Sequence, residues 1–279
     1  MTIEIQPLRD RRYRVYAGDR FIAGYTLGEY RPYVYPLCTP SGVPLTEEAP
    51  ADHPHHQSLW LGQDEVDGVN FWLNEPGCGR VVGEGFSATV ESTSVGSSAL
   101  FRHDLSWRGP DGVVHLVERR TTAITPTKSA VVVDVRSQRR PAMREVELGA
   151  TKEAGLGIRV HDVLDEDDGG GLRSSSGARG ERAIFDSDAD WVDYRASVAG
   201  RGVGIAVFPN PRNPRHPWFV RSYGLILLNH HRLHSQLLRR GDELDLSWRV
   251  AAYDGPAAAS EITTMYHNYV DAEVSGVAG

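Results

Sequence analysis

Residues 86–124, FSATVESTSVGSSALFRHDLSWRGPDGVVHLVERRTTAI, decide the fold class of this chain. Apolar and polar residues alternate along most of this stretch, which is the period of a strand with one buried face. The alternation stops at Gly96-Ser97-Ser98 and at Gly109-Pro110-Asp111-Gly112, two segments with the composition of turns. The stretch therefore predicts three consecutive antiparallel strands, over residues 86–95, 99–107 and 113–124.

The same alternation runs through most of the remaining sequence, beginning with a hairpin around Gly18-Asp19. Helical spacing predicts a helix over 257–274 and a helical turn over 233–240. Residues 165–180 are rich in Asp, Gly and Ser, which predicts a mobile surface loop. No repeat of fixed period divides the 279 residues, and one domain is favoured over two. We therefore predict a mainly β fold, a large antiparallel β-sandwich or supersandwich with a C-terminal helix, spanning residues 1–279.

Composition argues against several classes of function. The formal net charge of −7 disfavours a nucleic-acid partner, because phosphate binding needs a positive surface. The apolar runs are far shorter than the roughly 20 residues of a membrane helix, and the N-terminus has no secretory signal. Two cysteines, Cys38 and Cys78, are too few for a disulfide scaffold, which favours a cytoplasmic location. The sequence has no phosphate-binding loop, dinucleotide fingerprint or serine-nucleophile elbow, so no nucleotide cofactor is expected.

Three histidines within four positions, His53, His55 and His56, form the first candidate site. They end a proline-rich stretch that predicts an ordered loop, since proline cannot donate to a sheet ladder. Because the residue before a proline is extended, we expect His53 and His55 to point to one side and His56 to the other. Such a pair would supply a general base with a partner that tunes it, or two ligands for a divalent metal.

The sequence leaves both interpretations of the histidines open. A loop histidine is commonly a surface or packing residue, but the flanking Trp60 and Trp72 favour a functional role. A metal held by His53 and His55 would need a third ligand, for which the candidates are His103, His161, His216 and His230. None of these lies at a spacing that identifies a metal motif.

A second candidate segment, residues 151–160, places Lys152 and Glu153 before a glycine-rich entry into a strand. Glu153 is a candidate general acid or base, with its pKa set by Lys152 or Arg159. The alternative is an ion pair exposed at the end of a strand.

A third candidate segment, residues 208–224, combines prolines, asparagines and cations, which is typical of a rigid polar loop. His216, Trp218 and Arg221 in this loop are candidates for binding an oxygen-rich ligand, with the indole stacking against a sugar face. Asp193 lies in the predicted strand over 191–198, and His230 follows the predicted strand over 220–228. The alternative is a long hairpin connection whose arginines are merely solvated.

Together, three runs of the sequence resemble the soluble bacterial PmoA-like family: RPYVYPLCTPSGVPLTEEAPADHPHHQSLWLG (31–62), TKEAGLGIRV (151–160) and GVGIAVFPNPRNPRHPWFVRSYGL (202–225). The resemblance implies an architecture similar to the galactose-mutarotase-like supersandwich and a role in carbohydrate catabolism. The family's label borrows the name of a methane monooxygenase subunit, which is a multi-helix membrane protein, whereas no segment here is long and apolar enough to span a bilayer.

These observations predict an enzyme that performs acid/base chemistry on a small-molecule carbohydrate, a sugar or 3-keto-glycoside, as a lyase, hydrolase or epimerase. His55 is the predicted base, His53 its partner, and Glu153 or His216 the acid. The predicted substrate-binding residues are His56, Trp60, Lys152, Arg159, Asp193, Trp218, Arg221 and His230. Two alternatives stay open: a non-catalytic carbohydrate-binding or accessory protein, and a metal-dependent oxygenase component. The sequence also leaves a homo-oligomer open.

Overall fold

The computed structural model describes residues 2–9, 11–93 and 96–274. The strands of these residues are, in chain order, β1 (Ile3–Pro7), β2 (Arg12–Ala17), β3 (Arg20–Thr26), β4 (Tyr33–Leu37), β5 (Leu59–Gln63), β6 (Arg80–Thr93), β7 (Gly96–Arg108), β8 (Val114–Pro126), β9 (Ala130–Pro141), β10 (Val146–Leu148), β11 (Ala154–Arg159), β12 (Gly171–Ser174), β13 (Val192–Val198), β14 (Arg201–Pro209), β15 (Phe219–Arg221), β16 (Leu225–Leu228), β17 (Gln236–Leu238) and β18 (Leu244–Asp254). The helices are α1 (Glu181–Ile184) and α2 (Ala259–Val274), and a 3-10 turn covers Asp162–Leu164.

Two eight-stranded antiparallel sheets make up most of the fold. The hydrogen-bonded order of the first sheet is β1-β2-β3-β4-β5-β11-β16-β15. The order of the second sheet is β12-β13-β14-β18-β9-β8-β7-β6, and β10 and β17 form a separate two-stranded ribbon. The first sheet therefore brings together strands from the first quarter of the chain, its middle and its last third.

The inner faces of the two sheets share an apolar core. Val15 and Leu156 reach it from the first sheet, and Trp107 and Val250 from the second, and all four side chains are buried. Burial of apolar surface on this scale is the main driving force for folding. Since successive residues of a strand face opposite sides, the intervening residues of the first sheet form an outer face.

The two outer faces are covered differently. Helix α2 packs on the second sheet, where Ile262 and Tyr269 contact a cluster that includes Trp191 and Phe208. The outer face of the first sheet carries the proline-rich loop that contains the histidines, because that loop connects β4 to β5 in the middle of the sheet. The candidate site is therefore on the face opposite the shared core.

The predicted fold class is confirmed, as a mainly β antiparallel sandwich with a C-terminal helix. The strands predicted within residues 86–124 are β6, β7 and β8, and residues 94 and 95 lie outside the described part of the chain. No helix of the described ranges is long and apolar enough to cross a membrane.

Three local predictions are wrong. Gly96-Ser97-Ser98 begins β7 and does not form a turn. The predicted helical turn over 233–240 contains β17, and the predicted loop over 165–180 contains β12. β17 is held by the distant strand β10, and β12 is held by β13, the next strand of the chain, and such pairing overrides local propensity.

Candidate active site on the outer face of the first sheet

A row of directly paired residues crosses the outer face of the first sheet. Tyr33 pairs with Trp60 and Trp60 with Gly157. A Cβ atom at Gly157 would lie 2.6 Å from the Trp60 ring, so only glycine lets the indole pack against the neighbouring strand. Trp72 packs beside it, with the two indole centroids 5.1 Å apart. Both indoles are buried, and they form an apolar floor beneath the histidines.

The three histidines belong to a tight turn. The backbone N–H of His56 donates to the carbonyl of His53 at 2.9 Å, which closes a four-residue turn with Pro54 at its second position. Proline is favoured there because its fixed φ suits the turn. The turn brings the rings of His53 and His56 into a parallel stack with centroids 4.6 Å apart. The predicted alternation, with His53 and His55 on one side, is therefore wrong.

Four rings follow one another in a column. Tyr223 stacks on His53 at 5.0 Å, His53 on His56, and His56 on Trp60 at 5.2 Å. Tyr223 comes from the turn between β15 and β16, and Trp60 from β5. The His53 imidazole is thus held on both faces, with about a third of its side chain exposed. Packing of this kind fixes a side-chain rotamer, as a catalytic group requires.

An ion pair joins the histidine turn to β11. Arg159 donates from Nη1 to Asp52 Oδ2 at 2.9 Å and from Nη2 to Asp52 Oδ1 at 3.1 Å. The His53 Nδ1 lies 2.8 Å from the same Oδ2. Burial opposes ionisation of this carboxyl, but the hydrogen bonds from His53 and Arg159 prevail and lower the pKa of Asp52 to about 2. Asp52 is therefore an anion that can only accept, so His53 must donate from Nδ1.

The other two imidazoles are neutral near neutral pH. Burial, with the neighbouring His53 and Arg31 side chains, lowers the pKa of His55 to about 4. Burial, with His55 and His53, lowers the pKa of His56 to about 2. His55 Nε2 and His56 Nδ1 are buried without a hydrogen-bond partner among the described residues. Polar atoms in such a position are commonly satisfied by water or by a ligand.

A buried arginine anchors the histidine turn to the aromatic floor. Arg31 donates to Gln57 Oε1 at 3.1 Å and to the carbonyl oxygens of Trp72 and Leu73 at 2.6 and 2.9 Å. No carboxylate of the described residues lies within 4.0 Å of it, and burial lowers the pKa of Arg31 to about 9. The guanidinium therefore acts through directional hydrogen bonds that order the loop.

Glu153 and Lys152 lie at the opposite end of β11 from Arg159. The Lys152 Nζ is 3.8 Å from Glu153 Oε1, and the Glu153 side chain is 28 % exposed. Burial raises the pKa of Glu153, while the charges of Lys152 and His53 act in the opposite direction. Glu153 is thus electrostatically coupled to the histidine turn, and its carboxyl holds a proton to higher pH than an exposed glutamate.

The 208–224 segment is divided between two places. Tyr223 joins the ring column, but His216 lies in a cavity beside α2 with Asp188, Arg215 and Tyr266. Trp218 is buried in the shared core, and its Nε1 donates to the Ala189 carbonyl at 2.8 Å. The structure therefore does not bring His216 to the histidine turn, and Trp218 has no exposed face on which a sugar would stack.

Three further predicted residues make contacts elsewhere. Asp193, on the second sheet, is buried and accepts hydrogen bonds from Arg173 and Tyr253. Arg221 is on the outer face of the first sheet, where it pairs with Glu181 at 2.9 Å. His230 follows β16, 4.0 Å from the His231 ring, and its Nε2 is buried without a partner among the described residues. None of the three contacts the histidine turn.

Asp52, Tyr223 and Arg31 are the site residues that the sequence did not identify. Asp52 precedes His53 directly, and a carboxylate next to a histidine was the available signal. Tyr223 and Arg31 reach the site only through sheet pairing between distant strands, for which no local pattern exists.

The histidine turn does not gather a third metal ligand. Within the described ranges, the one group of three or more ligating side chains with ligand atoms within 4.8 Å is Asp162, Asp165 and Asp168. His103 lies on β7 in the second sheet and His161 caps the 3-10 turn, so neither completes a set with His53 and His55. A metal on His53 and His55 stays a prediction.

Among the cavities of the described residues are three that the histidine turn does not line. One is the His216 cavity, and another is a small space under Tyr33 and Trp60. The third has a volume of about 370 Å³ and is lined by residues of β2, β3 and β4. The histidine turn therefore lies outside these three cavities, with His56 buried and about a third of the His53 side chain exposed.

Comparison with known proteins gives a family and two similar folds. The model of a family of unknown function (DUF6807) matches residues 12–267. This corrects the resemblance to the PmoA-like family, for which no match is found. No curated protein matches the sequence.

Two solved structures are similar to this chain. The "galactosidase domain of alpha-galactosidase-sucrose kinase, AgaSK" has a TM-score of 0.47 and 9% identity, over 91% of this chain and 42% of that chain. The "Putative kojibiose phosphorylase from human microbiome" has a TM-score of 0.39 and 8% identity, over 94% of this chain and 32% of that chain. This chain spans less than half the length of either structure.

Proposed function

Because this chain belongs to the family of unknown function DUF6807, its family assigns no reaction, and we propose from its own residues that it performs acid/base chemistry on a carbohydrate. The observation that carries this proposal is the Asp52–His53 pair. A carboxylate that accepts from Nδ1 sets the tautomer of the imidazole and leaves Nε2 as the basic nitrogen. Stacking between Tyr223 and His56 holds the ring in that orientation.

His53 is the base in this proposal, and Glu153 is the acid. The exposed edge of the His53 ring is available to a substrate, whereas His55 Nε2 and the whole of His56 are buried and both residues have lowered pKa values. Glu153 carries a raised pKa, which suits a group that must hold a proton before it donates it. The exposed Lys152 is then available to hydrogen-bond a substrate oxygen.

A 3-keto-glycoside is the substrate that this arrangement suits best. The carbonyl acidifies the neighbouring C–H, and His53 Nε2 removes that proton. The electron pair forms a carbon–carbon double bond as the anomeric C–O bond breaks. Glu153 donates its proton to the departing oxygen, so atoms and charges balance. General acid and base groups typically contribute ~10²–10⁴-fold each to such reactions.

The experiment is an assay of purified protein on 3-keto-glycosides and on the corresponding unoxidised glycosides. Wild-type protein should release the aglycone from the keto form, and His53→Ala should slow this by ~10²–10⁴-fold. His234→Ala is the matched control, since His234 is exposed and lies outside the site. Unchanged turnover in His53→Ala, or no turnover of either substrate by wild-type protein, would refute the proposal.

A second candidate function is non-catalytic carbohydrate binding, and the position of the histidine turn outside the three cavities described above favours it. None of the three cavities is lined by His53, His55 or His56 among the described residues, whereas most enzyme sites are concave. Calorimetry that detects sugar binding, together with no product after long incubation, would support this candidate over the enzyme.

The proposed location is the cytoplasm. Cys38 and Cys78 are both unpaired in the structure, and Cys38 is buried, which suits a reducing compartment. The sequence suggested an oxygenase only through its resemblance to the PmoA-like family. Because the matching family is DUF6807, we do not propose an oxygenase.

A further inference from the structure

The cavity of about 370 Å³ lies on the same outer face as the histidine turn and has no part in the chemistry above. Arg12, Arg14, Tyr16, Phe21, Thr26 and Tyr35 are among its lining residues. Gly24, on β3, also lines it, and a Cβ there would collide with the Tyr35 carbonyl oxygen of the neighbouring strand. The volume is within the range of small-molecule sites, about 300–1,000 Å³.

Two arginines that have no ion-pair partner among the described residues line this cavity. Arg12 and Arg14 are exposed, two residues apart on β2, and therefore project to the same face. Neither has a carboxylate within 4.0 Å among the residues that the structure describes, whereas Arg159 and Arg221 are paired with Asp52 and Glu181. In a chain with a net charge of −7, a paired positive patch of this kind indicates an anionic ligand.

Aromatic rings stand beside the cations. The Tyr16 and Phe21 rings are 5.7 Å apart and steeply inclined, and the Arg14 guanidinium lies 6.0 Å from the Phe21 centroid. Aromatic side chains offer a sugar ring an apolar surface and guanidinium groups offer a carboxylate or sulfate two parallel hydrogen bonds. Together they match a sugar residue that carries an acidic group.

Sheet register joins the cavity to the candidate active site. Arg12 pairs with Thr26, Thr26 with Tyr33, and Tyr33 with Trp60 under the histidine column. Three inter-strand steps separate Arg12 from Trp60, about 14 Å at ~4.8 Å each. One extended saccharide would therefore reach from the cavity to His53 along this face.

We infer that the cavity binds an acidic sugar residue of the substrate, a uronate or a sulfated hexose, next to the unit that reacts. This inference rests on the proposed function, because it names the substrate class of that site. Arg12 and Arg14 bind the acid group, and the aromatic rings contact the sugar face. A carbohydrate with neutral residues alone would leave both guanidinium groups unpaired.

Binding to the full chain tests this inference without any turnover. The probes are galacturonate, galactose 6-sulfate and neutral galactose, titrated at low salt by calorimetry or NMR. At least one acid should bind about tenfold or more tightly than galactose, and added salt should reduce the difference. The relative affinities for galacturonate and galactose 6-sulfate show whether the cavity prefers a carboxylate or a sulfate. Equal affinity for all three sugars would overturn the inference.

The variant for this test is R12Q/R14Q, and its matched control is R201Q/R240Q, which removes two exposed arginines elsewhere. The first should abolish the preference for acids while circular dichroism stays unchanged, and the control should keep it. A preference that survives in R12Q/R14Q would overturn the inference. Acid binding without turnover would refute only the enzyme, whereas turnover of neutral glycosides that is unaffected by R12Q/R14Q would refute only the acidic subsite.

Discussion

Asp52 and Arg159 form a two-bond ion pair across 107 positions of sequence, with distances of 2.9 and 3.1 Å. The pair ties the histidine turn to β11, a central strand of the first sheet. Arg159 also lies over the Tyr223 ring, 4.9 Å from its centroid. The same carboxylate that holds the turn in place therefore orients His53, and the site depends on this contact.

Replacing Asp52 by asparagine should lower kcat more than it raises KM. The amide is nearly isosteric, but it no longer requires His53 to donate from Nδ1, so the basic nitrogen is not fixed at Nε2. We expect a loss of kcat of about 10²-fold or more, measured by steady-state kinetics. Asp19→Asn, an exposed change on a distant turn, should have no effect. An unaltered kcat in Asp52→Asn would contradict the role of this carboxylate.

Glu153→Gln should remove one limb of the pH–rate profile. An acid works only while it is protonated, so activity should fall as the pH rises through the pKa of Glu153, which burial raises. Glutamine does not titrate, so the variant should be slower and lack this decline at high pH. Lys152→Ala leaves the carboxyl in place and should retain the limb. If the pH–rate profile of Glu153→Gln declines at high pH as the wild-type profile does, Glu153 is excluded as the acid.

The free energy of unfolding should fall as the pH drops below about 6.5, the ordinary pKa of histidine. The pKa of His56 is about 2 in the folded chain, so between these values only the unfolded chain binds the proton. Each buried imidazole of this kind lowers the free energy of unfolding by up to about 1.4 kcal/mol for each unit by which the pH falls in this range. In His56→Phe, which keeps a ring in the stack, urea unfolding between pH 6 and 4 (about the range where the effect operates) should show a shallower slope. Identical slopes for the two proteins would contradict this reading of His56.

Gly157→Ala should destabilise the fold through the aromatic floor. The added Cβ would lie 2.6 Å from the Trp60 ring, and the indole is buried. We expect a loss of about 1–3 kcal/mol in chemical denaturation, as for other overpacked positions. Gly171→Ala is the matched strand control, because its nearest neighbours lie 3.9 Å away. Equal stability of the two variants would show that the indole tolerates the methyl group.

The fold class was predictable because it follows from local patterns. Alternation within residues 86–124 specified β6, β7 and β8, and helical spacing specified α2. Short strands such as β12 and β17 were not predictable, because their hydrogen bonds go to β13 and β10 and their own sequences carry no alternation long enough to detect.

The candidate site was predictable only in part. The cluster of histidines can be identified directly from the sequence. Arg159 and Glu153 can be identified as well, because they flank a glycine-rich strand. The turn closed by His56 and His53 reverses the expected directions of the rings, since Pro54 serves the turn instead of extending the chain. Tyr223 and Arg31 depend on the strand order of the first sheet, and Trp218 was misjudged because a buried indole and an exposed one look alike in sequence.

The tautomer of His53 is the most direct test of its proposed role as the base. Nitrogen-15 NMR of the imidazole side chains measures this tautomer without a substrate. For the neutral ring of the wild-type protein, we expect a proton on Nδ1, facing Asp52, and an unprotonated Nε2. Asp52→Asn should disturb this assignment, and Asp19→Asn should not. A neutral His53 that carries its proton on Nε2 in the wild-type protein would contradict the account, because the ring would then offer the substrate a donor and not a base.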